Sequence, residues 1–456
     1  TAGNHARGFR HEEPILSGDV VRMARQFSTY SEEVLDVEAL PTVLRRAVEV
    51  ALTPPTGPVF VALPLDVMQA ETDADPEPLG AIPDPGRGDP TAIDTAADAL
   101  ESAGEPVMVV GDEIARSGTD AVDAAVDLAE AIGARVHGEA LGSETNFPAS
   151  HEQWVSHLPP DESALRDLQD VDTVCFVGIS TNTTLTAHHA PLLDSDTTVV
   201  HVGQKTWEIG KNHPADFAVL GDPGMVLREL ADRLEDRISH TERKRRLEQV
   251  ESVKAALGRE MDRESTGDDT QSRLASKAEL ADAMFAAAPD AYVVDEGVTS
   301  KYELLARWPF EAEQFISNKG GGLGYGVPAA IGAAVAEGQR DEPRDVLGFV
   351  GDGTYLYYPQ ALYSAARYDL DLTVVISDNR NYRILKDNAG ELFDADPDEV
   401  PLSGVDFDPP VDIPKNVESH GATGRLVESP DVIESAVRDG IDTDGPVVLD
   451  VLVHDD

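Results

Sequence analysis

The stretch Val346–Tyr382, VLGFVGDGTYLYYPQALYSAARYDLDLTVVISDNRNY, decides how the chain is read. An apolar run, VLGFV, stops on Gly351-Asp352-Gly353, and a helix-prone segment follows. A second apolar run, LTVVIS, stops on Asp378-Asn379, with Asn379 lying 27 positions after Asp352. Two short apolar runs separated by a helix make a strand–helix–strand unit, the repeating piece of a parallel sheet. Ligands in such sheets sit beyond the carboxyl ends of the strands, where both Asp352 and Asn379 fall. One carboxylate, one amide oxygen and a nearby backbone carbonyl form a hard oxygen set. It is too sparse for Ca2+ and suits Mg2+, which completes its octahedron with phosphate oxygens and water. Alone, Gly-Asp-Gly is more often a tight turn. Pairing with a strand-end Asn is what makes it a candidate metal site.

The same alternation runs outward from this unit. Residues 273–456 also hold KAELADAMFAAA, AYVVDEG, PAAIGAAVAEG, DVIESAVRDGI and PVVLDVLV. A second alternating region covers 91–236, with Gly after its strands in VVGDE, FVGIS and HVGQK. Lacking G-x-G-x-x-G, these read as ordinary βα turns. Residues 1–75 hold the amphipathic LPTVLRRAVEVAL, with Leu40, Val43, Leu44, Ala47 and Val48 on one face, and a buried strand in GPVFVALPLDV. Residues 76–90 read as a linker rich in Pro, Gly and Asp. Residues 237–272 read as a charged, helix-prone connector whose cluster Arg243-Lys244-Arg245-Arg246 is a solvated face.

The chain carries 36 basic and 85 acidic residues, a formal charge of −49. With so few cations, a nucleic-acid partner is not expected. Acidic residues spread along the whole length point to a halophilic, cytoplasmic protein whose self-repulsion is screened by salt. No apolar run approaches the ~20 residues of a membrane span. The single cysteine, Cys175, lies in the apolar run TVCFVG and reads as a small core residue.

Upstream of the opening stretch lies NKGGGLGYGVPAAIGAAVAEG, residues 318–338. Leu323 stands alone among glycines 320, 321, 322, 324 and 326. Such a loop lets a flat ligand lie against backbone while one side chain props it. Gly351-Asp352-Gly353 followed by Asn379 resembles the cofactor motif of thiamine diphosphate-dependent enzymes. The glycine loop resembles that of benzoylformate decarboxylase and acetolactate synthase. TAGNHAR and PPTGPVFVALPLDV resemble their pyrimidine-binding domain.

This resemblance implies an α/β fold of three doubly wound parallel-sheet domains: part of a pyrimidine-binding domain at 1–75, a central Rossmann-like domain at 91–236 and a diphosphate-binding domain at 273–456. It implies Mg2+ held by Asp352, the Asn379 side chain and the Asn381 carbonyl. Gly351, Gly353, Thr354, Glu296, Thr299 and Tyr382 would surround the diphosphate. Leu323, next to Gly322, would wedge under the thiazolium, and the Gly321 carbonyl would accept a hydrogen bond from the aminopyrimidine. The bent cofactor then forms its C2 ylide, which attacks a small-molecule 2-oxo acid and releases CO2. Protonation gives a decarboxylase. Attack on a second carbonyl gives a carboligase like the acetolactate synthase large subunit, for which FAD in the central domain is a further expectation. A non-catalytic cofactor-binding relative is the reading from another class. Ile384 and Leu385 would line the substrate pocket, and the assembly would be a homodimer or homotetramer.

Two departures from the family pattern stand out. Asp378 replaces an Asn and brings negative charge toward an anionic cofactor. The activating Glu of the family precedes the TAG strand, where this chain begins. A first segment of about 75 residues, against ~100–150 for a common domain, leads to the expectation that half of that domain is missing and that the chain alone lacks turnover.

Overall fold

The computed structural model describes residues 1–181, 183–266 and 274–455. The end of the expected connector, 267–272, and residue 273 lie outside the described residues. Two compact units are present, Thr1–Arg87 and Gly88–Asp456. Among the described residues, every pairing between two strands is parallel, and the isolated bridges Glu144–Ile316 and Asn381–Asp406 are antiparallel.

The first unit holds β1 (Ala2–Asn4), β2 (Tyr30–Glu33) and β3 (Val59–Pro64), in the order β1-β3-β2. Its core is small: Val34, Ala47, Val61 and Val67. The helix Leu40–Leu52 buries Ala47 but leaves Leu44 37% and Val48 45% exposed.

The second unit holds two six-stranded sheets. The middle one comprises β4 (Pro106–Val110), β5 (Arg135–Gly138), β6 (Trp154–His157), β7 (Thr173–Val177), β8 (Thr198–Gly203) and β9 (Phe217–Leu220), ordered β6-β5-β4-β7-β8-β9. The other comprises β10 (Tyr292–Glu296), β11 (Phe315–Ser317), β12 (Val346–Gly351), β13 (Leu372–Asp378), β14 (Thr423–Val427) and β15 (Pro446–Leu452), ordered β11-β10-β12-β13-β15-β14. Every residue of β13 and β15 is buried, which is why their sequences are mostly apolar, with Thr373, Ser377, Asp378 and Asp450 as the polar exceptions: helices cover both faces. Successive side chains divide between two cores. Phe349, Val375 and Leu449 enter one, and Val350, Val374 and Val448 the other. Truncating any of these to Ala would cost roughly 2–5 kcal/mol.

The connector forms the helix His240–Thr266. Arg246 in it is not solvated as expected but 2% exposed. Its guanidinium donates to the carbonyls of Ile132 at 2.6 Å, Glu101 at 3.1 Å and Ala103. Those carbonyls end the helices Thr119–Ile132 and Pro90–Ser102, so one cation caps two helix C-termini, where carbonyls lack partners and the dipole is negative.

Among the described residues no helix is long and apolar enough to cross a membrane.

Candidate active site

Strand register brings the predicted residues together at the carboxyl end of the third sheet. Glu296 pairs with Val350, Gly351 with Ser377, and Asp378 with Leu452. The turn out of β12 is the short helix Asp352–Tyr355. Asp352 is 3% exposed. Its Oδ1 accepts from the Gly353 N–H at 2.8 Å, while its buried Oδ2 has no partner. At the end of β13, Asp378 accepts from the Arg380 N–H at 2.8 Å, and Asn379 is half-buried. The Asn381 amide donates to the Asn379 carbonyl at 2.9 Å, leaving the buried Asn381 Oδ1 without a partner.

These orphaned oxygens have an electrostatic signature. Burial, then Asp378 beside it, pushes the Asp352 carboxyl up to about 9. Burial and Asp378 likewise push Asp450 on β15 up to about 8. Protonated, each can share its proton with Asp378; ionised, each would be stabilised by a cation, since unpaired buried charge is costly. Among the described residues no three His, Cys, Asp or Glu side chains are arranged to hold a metal. The donors at hand are instead one or two carboxylates with amide and backbone oxygens, which suits Mg2+ better than a softer ion.

Gly353 has a steric reason. A Cβ there would come within 2.6 and 2.7 Å of the Tyr382 ring, itself packed edge-on against Phe407 at 4.9 Å. The Thr354 hydroxyl is held inside the turn, donating toward Gly351 O at 2.9 Å and Glu296 O at 3.2 Å. Glu296 accepts from the N–H groups of Tyr325 at 3.1 Å and Gly326 at 2.7 Å, fastening the glycine loop and the start of the helix Gly326–Glu337.

Within that loop, Gly324 (φ 88°) is packed so that a Cβ would reach Tyr358 and come within 2.6 Å of Tyr357. Around Gly321 (φ 69°) and Gly322 there is open space. Leu323 is 37% exposed. Asn318, which sequence reading passed over, accepts from Gly320 N–H at 2.9 Å and donates to Gly322 O at 2.6 Å. Thr299 follows Val298, a β-branched residue held at φ 51°, a strained conformation of the kind found at functional sites.

Thr299, Tyr302, His157 and Ile384 line a cavity of about 970 Å3. Leu385, expected beside Ile384, is 49% exposed and not among its lining residues. Sequence reading also missed Asp112, Glu139, Lys301 and Lys319. Lys301 donates to Ser317 Oγ at 3.0 Å and to Gly142 O at 3.2 Å, joining the two sheets of the second unit.

Two sequence models of one family match the chain. The central domain of thiamine pyrophosphate enzymes matches residues 93–230, and their C-terminal TPP-binding domain matches 299–451. Benzoylformate decarboxylase of Pseudomonas aeruginosa is 26% identical, over 99% of this chain and 81% of its own. Acetolactate synthase of Bacillus subtilis is 25% identical, over 99% of this chain and 76% of its own. In fold, the chain resembles the Rhodococcus jostii thiamine diphosphate-dependent 4-hydroxybenzoylformate decarboxylase, with TM-score 0.82 and 24% identity over 99% of this chain and 81% of that one. It also resembles benzoylformate decarboxylase of Polynucleobacter necessarius, with TM-score 0.84 and 22% identity over the same shares. The two family models together cover well over half of the sequence, and the chain belongs to the thiamine pyrophosphate enzymes.

Proposed function

We propose that this protein takes part in decarboxylation of a 2-oxo acid with thiamine diphosphate and Mg2+, in the manner of benzoylformate decarboxylase. The observation that carries the reading is the buried, unpartnered Asp352 Oδ2 beside the strand end that bears Asn379 and Asn381. Asp352, the Asn379 side chain and the Asn381 carbonyl would hold the metal. Gly351, Gly353, Thr299 and Tyr382 would surround the diphosphate, with Gly353 also making room for the Tyr382 ring. Thr354 and Glu296 act from behind, fixing the turn and the glycine loop through the hydrogen bonds given above. Leu323 would stand under the cofactor ring, with Gly322 beside it, and the Gly321 carbonyl would accept from its amine. Bound there, thiamine diphosphate supplies the nucleophile and the electron sink for loss of CO2. Ile384 would give the cavity beside Thr299 one apolar contact in a lining that also carries Asp387, Asn388 and Glu391.

The carboligating alternative, an acetolactate synthase, is supported by relatives at nearly the same identity and uses the same groups. Product analysis separates the two. Protein in high salt with Mg2+ and thiamine diphosphate is offered benzoylformate and pyruvate separately. Aldehyde and CO2 in equal amounts support the decarboxylase, whereas acetolactate from pyruvate replaces it with the synthase. Cofactor binding with no turnover of either acid would leave the non-catalytic relative.

A further inference from the structure

Open α/β sheets receive nucleotides at their carboxyl edge, where backbone N–H groups turn toward phosphate. In the middle sheet those groups are already taken. Glu139, after β5, is fully buried. Its carboxylate accepts from Asp112 N at 3.1 Å, Ser180 N at 2.9 Å and Thr181 N at 2.8 Å. Glu113 accepts from Gln204 N at 2.8 Å. There is no spare room: a Cβ on Gly111 would come within 2.6 Å of Ile179 Cα and 2.7 Å of Glu139 Oε1.

Asp112 beside it is 2% exposed and held by Ser143 N at 2.9 Å, Ser143 Oγ at 2.7 Å and the Asn146 amide at 3.0 Å. Into this pair of carboxylates reaches Lys319, whose ammonium donates to Asp112 Oδ2 at 2.8 Å and to Glu139. Burial works to raise the Asp112 carboxyl, but Lys319 and the Asn146 and Ser143 donors outweigh it and hold the group below its ordinary value. Lys319 is the residue immediately before Gly320, so the loop bearing Gly321 and Leu323 starts from this anchor.

We propose that Lys319 is a positioning residue: the middle sheet has turned its nucleotide edge into a two-carboxylate socket that fixes the glycine loop and excludes a dinucleotide such as FAD. The role at the cofactor rests on the function proposed above, while the loop anchor and the closed edge do not. A purely structural ion pair would change stability alone. An anchor changes the loop. A misplacement of about 1 Å at a reacting centre costs on the order of 100-fold in rate, so even modest loosening is measurable.

The test compares wild type with Lys319→Met, Lys319→Arg and the double variant Lys319→Met/Glu139→Gln. The double variant removes one stranded carboxylate, since breaking a buried pair on one side alone can compromise folding. Hydrogen exchange of residues 320–323 is read without cofactor. About tenfold faster exchange is expected in both Met variants, with Lys319→Arg near wild type, the factor corresponding to ~1.4 kcal/mol. In parallel, thiamine diphosphate affinity with Mg2+ and kcat at saturating cofactor should both fall in the Met variants and recover in Lys319→Arg. Unchanged loop exchange, with only a lower melting temperature, would overturn the anchor. If wild type fails to bind thiamine diphosphate, the proposed function falls and the exchange data still decide the anchor. Purified or FAD-titrated wild type that retains stoichiometric flavin would overturn the closed edge.

Discussion

The carboxyl edges of the middle and third sheets share an architecture and differ in how their carboxylates are satisfied. In the middle sheet, Glu139 and Asp112 collect backbone N–H groups, hydroxyl and amide donors and one ammonium. In the third, Asp352 and Asp450 each keep a buried oxygen with no partner, and Asp378 adds a like charge. Strand ends of one architecture can therefore have their carboxylates satisfied within the chain or left with an unpartnered oxygen. A buried carboxylate that has used up its donors is structure, whereas one still lacking them marks a ligand.

The largest effect that would break this contrast concerns Asp352. Replacing it with Ala should weaken Mg2+-dependent thiamine diphosphate binding by at least ~100-fold, about 2.7 kcal/mol, with the fold kept by circular dichroism. Titration calorimetry that gives wild-type affinity would end the metal assignment.

Next comes pH. A carboxyl whose pKa rises on folding binds its proton more tightly in the folded state. Its contribution to stability is present at low pH and is lost as pH climbs from the ordinary carboxylate range through the folded value. For cation-free protein, Asp352 at about 9 and Asp450 at about 8 predict a melting temperature that falls from pH 5 to pH 9. Mg2+ with cofactor should restore it and release protons. Asp378→Asn should flatten the slope, because Asp378 contributes to both shifts. A slope that Asp378→Asn leaves unchanged would show that burial alone sets these groups.

The smallest effect is at Thr354. Its hydroxyl serves two carbonyls within the turn, so Thr354→Val should cost ~1 kcal/mol of stability while cofactor affinity changes little. An affinity loss comparable to that of Asp352→Ala would place the hydroxyl on the ligand.

Much of this was legible in the chain. Runs such as LTVVISD and PVVLDVL announce strands because both faces are covered, leaving no polar alternation to confuse them. Trp154–His157, Phe315–Ser317 and Thr423–Val427 were not read as strands. They are short and lie at or beside sheet edges, where half-buried residues dilute the pattern. In the site, Asp352 and Asn379 announced themselves through local spacing. Lys319 did not, because its partners lie 207 and 180 positions away. Arg246 sat in a basic run that read as solvated, and nothing nearby in sequence indicates that two distant helix ends converge on it. Leu44 and Val48 show the opposite failure: an amphipathic stripe on the helix Leu40–Leu52 that leaves both of them exposed.

Arg246 also bears on how the molecule is made. The helices Pro90–Ser102 and Thr119–Ile132 belong to the middle sheet, yet the cation that closes both their ends arrives more than a hundred residues later. During synthesis the middle sheet emerges before this cation, and Ile132 O and Ala103 O gain it as a donor only when the following helix folds back. A chain cut between Asp236 and Arg246 would retain every strand of that sheet and lose the donor to Ile132 O, Glu101 O and Ala103 O, while the left-handed Gly133 cap would still hold the end of Thr119–Ile132.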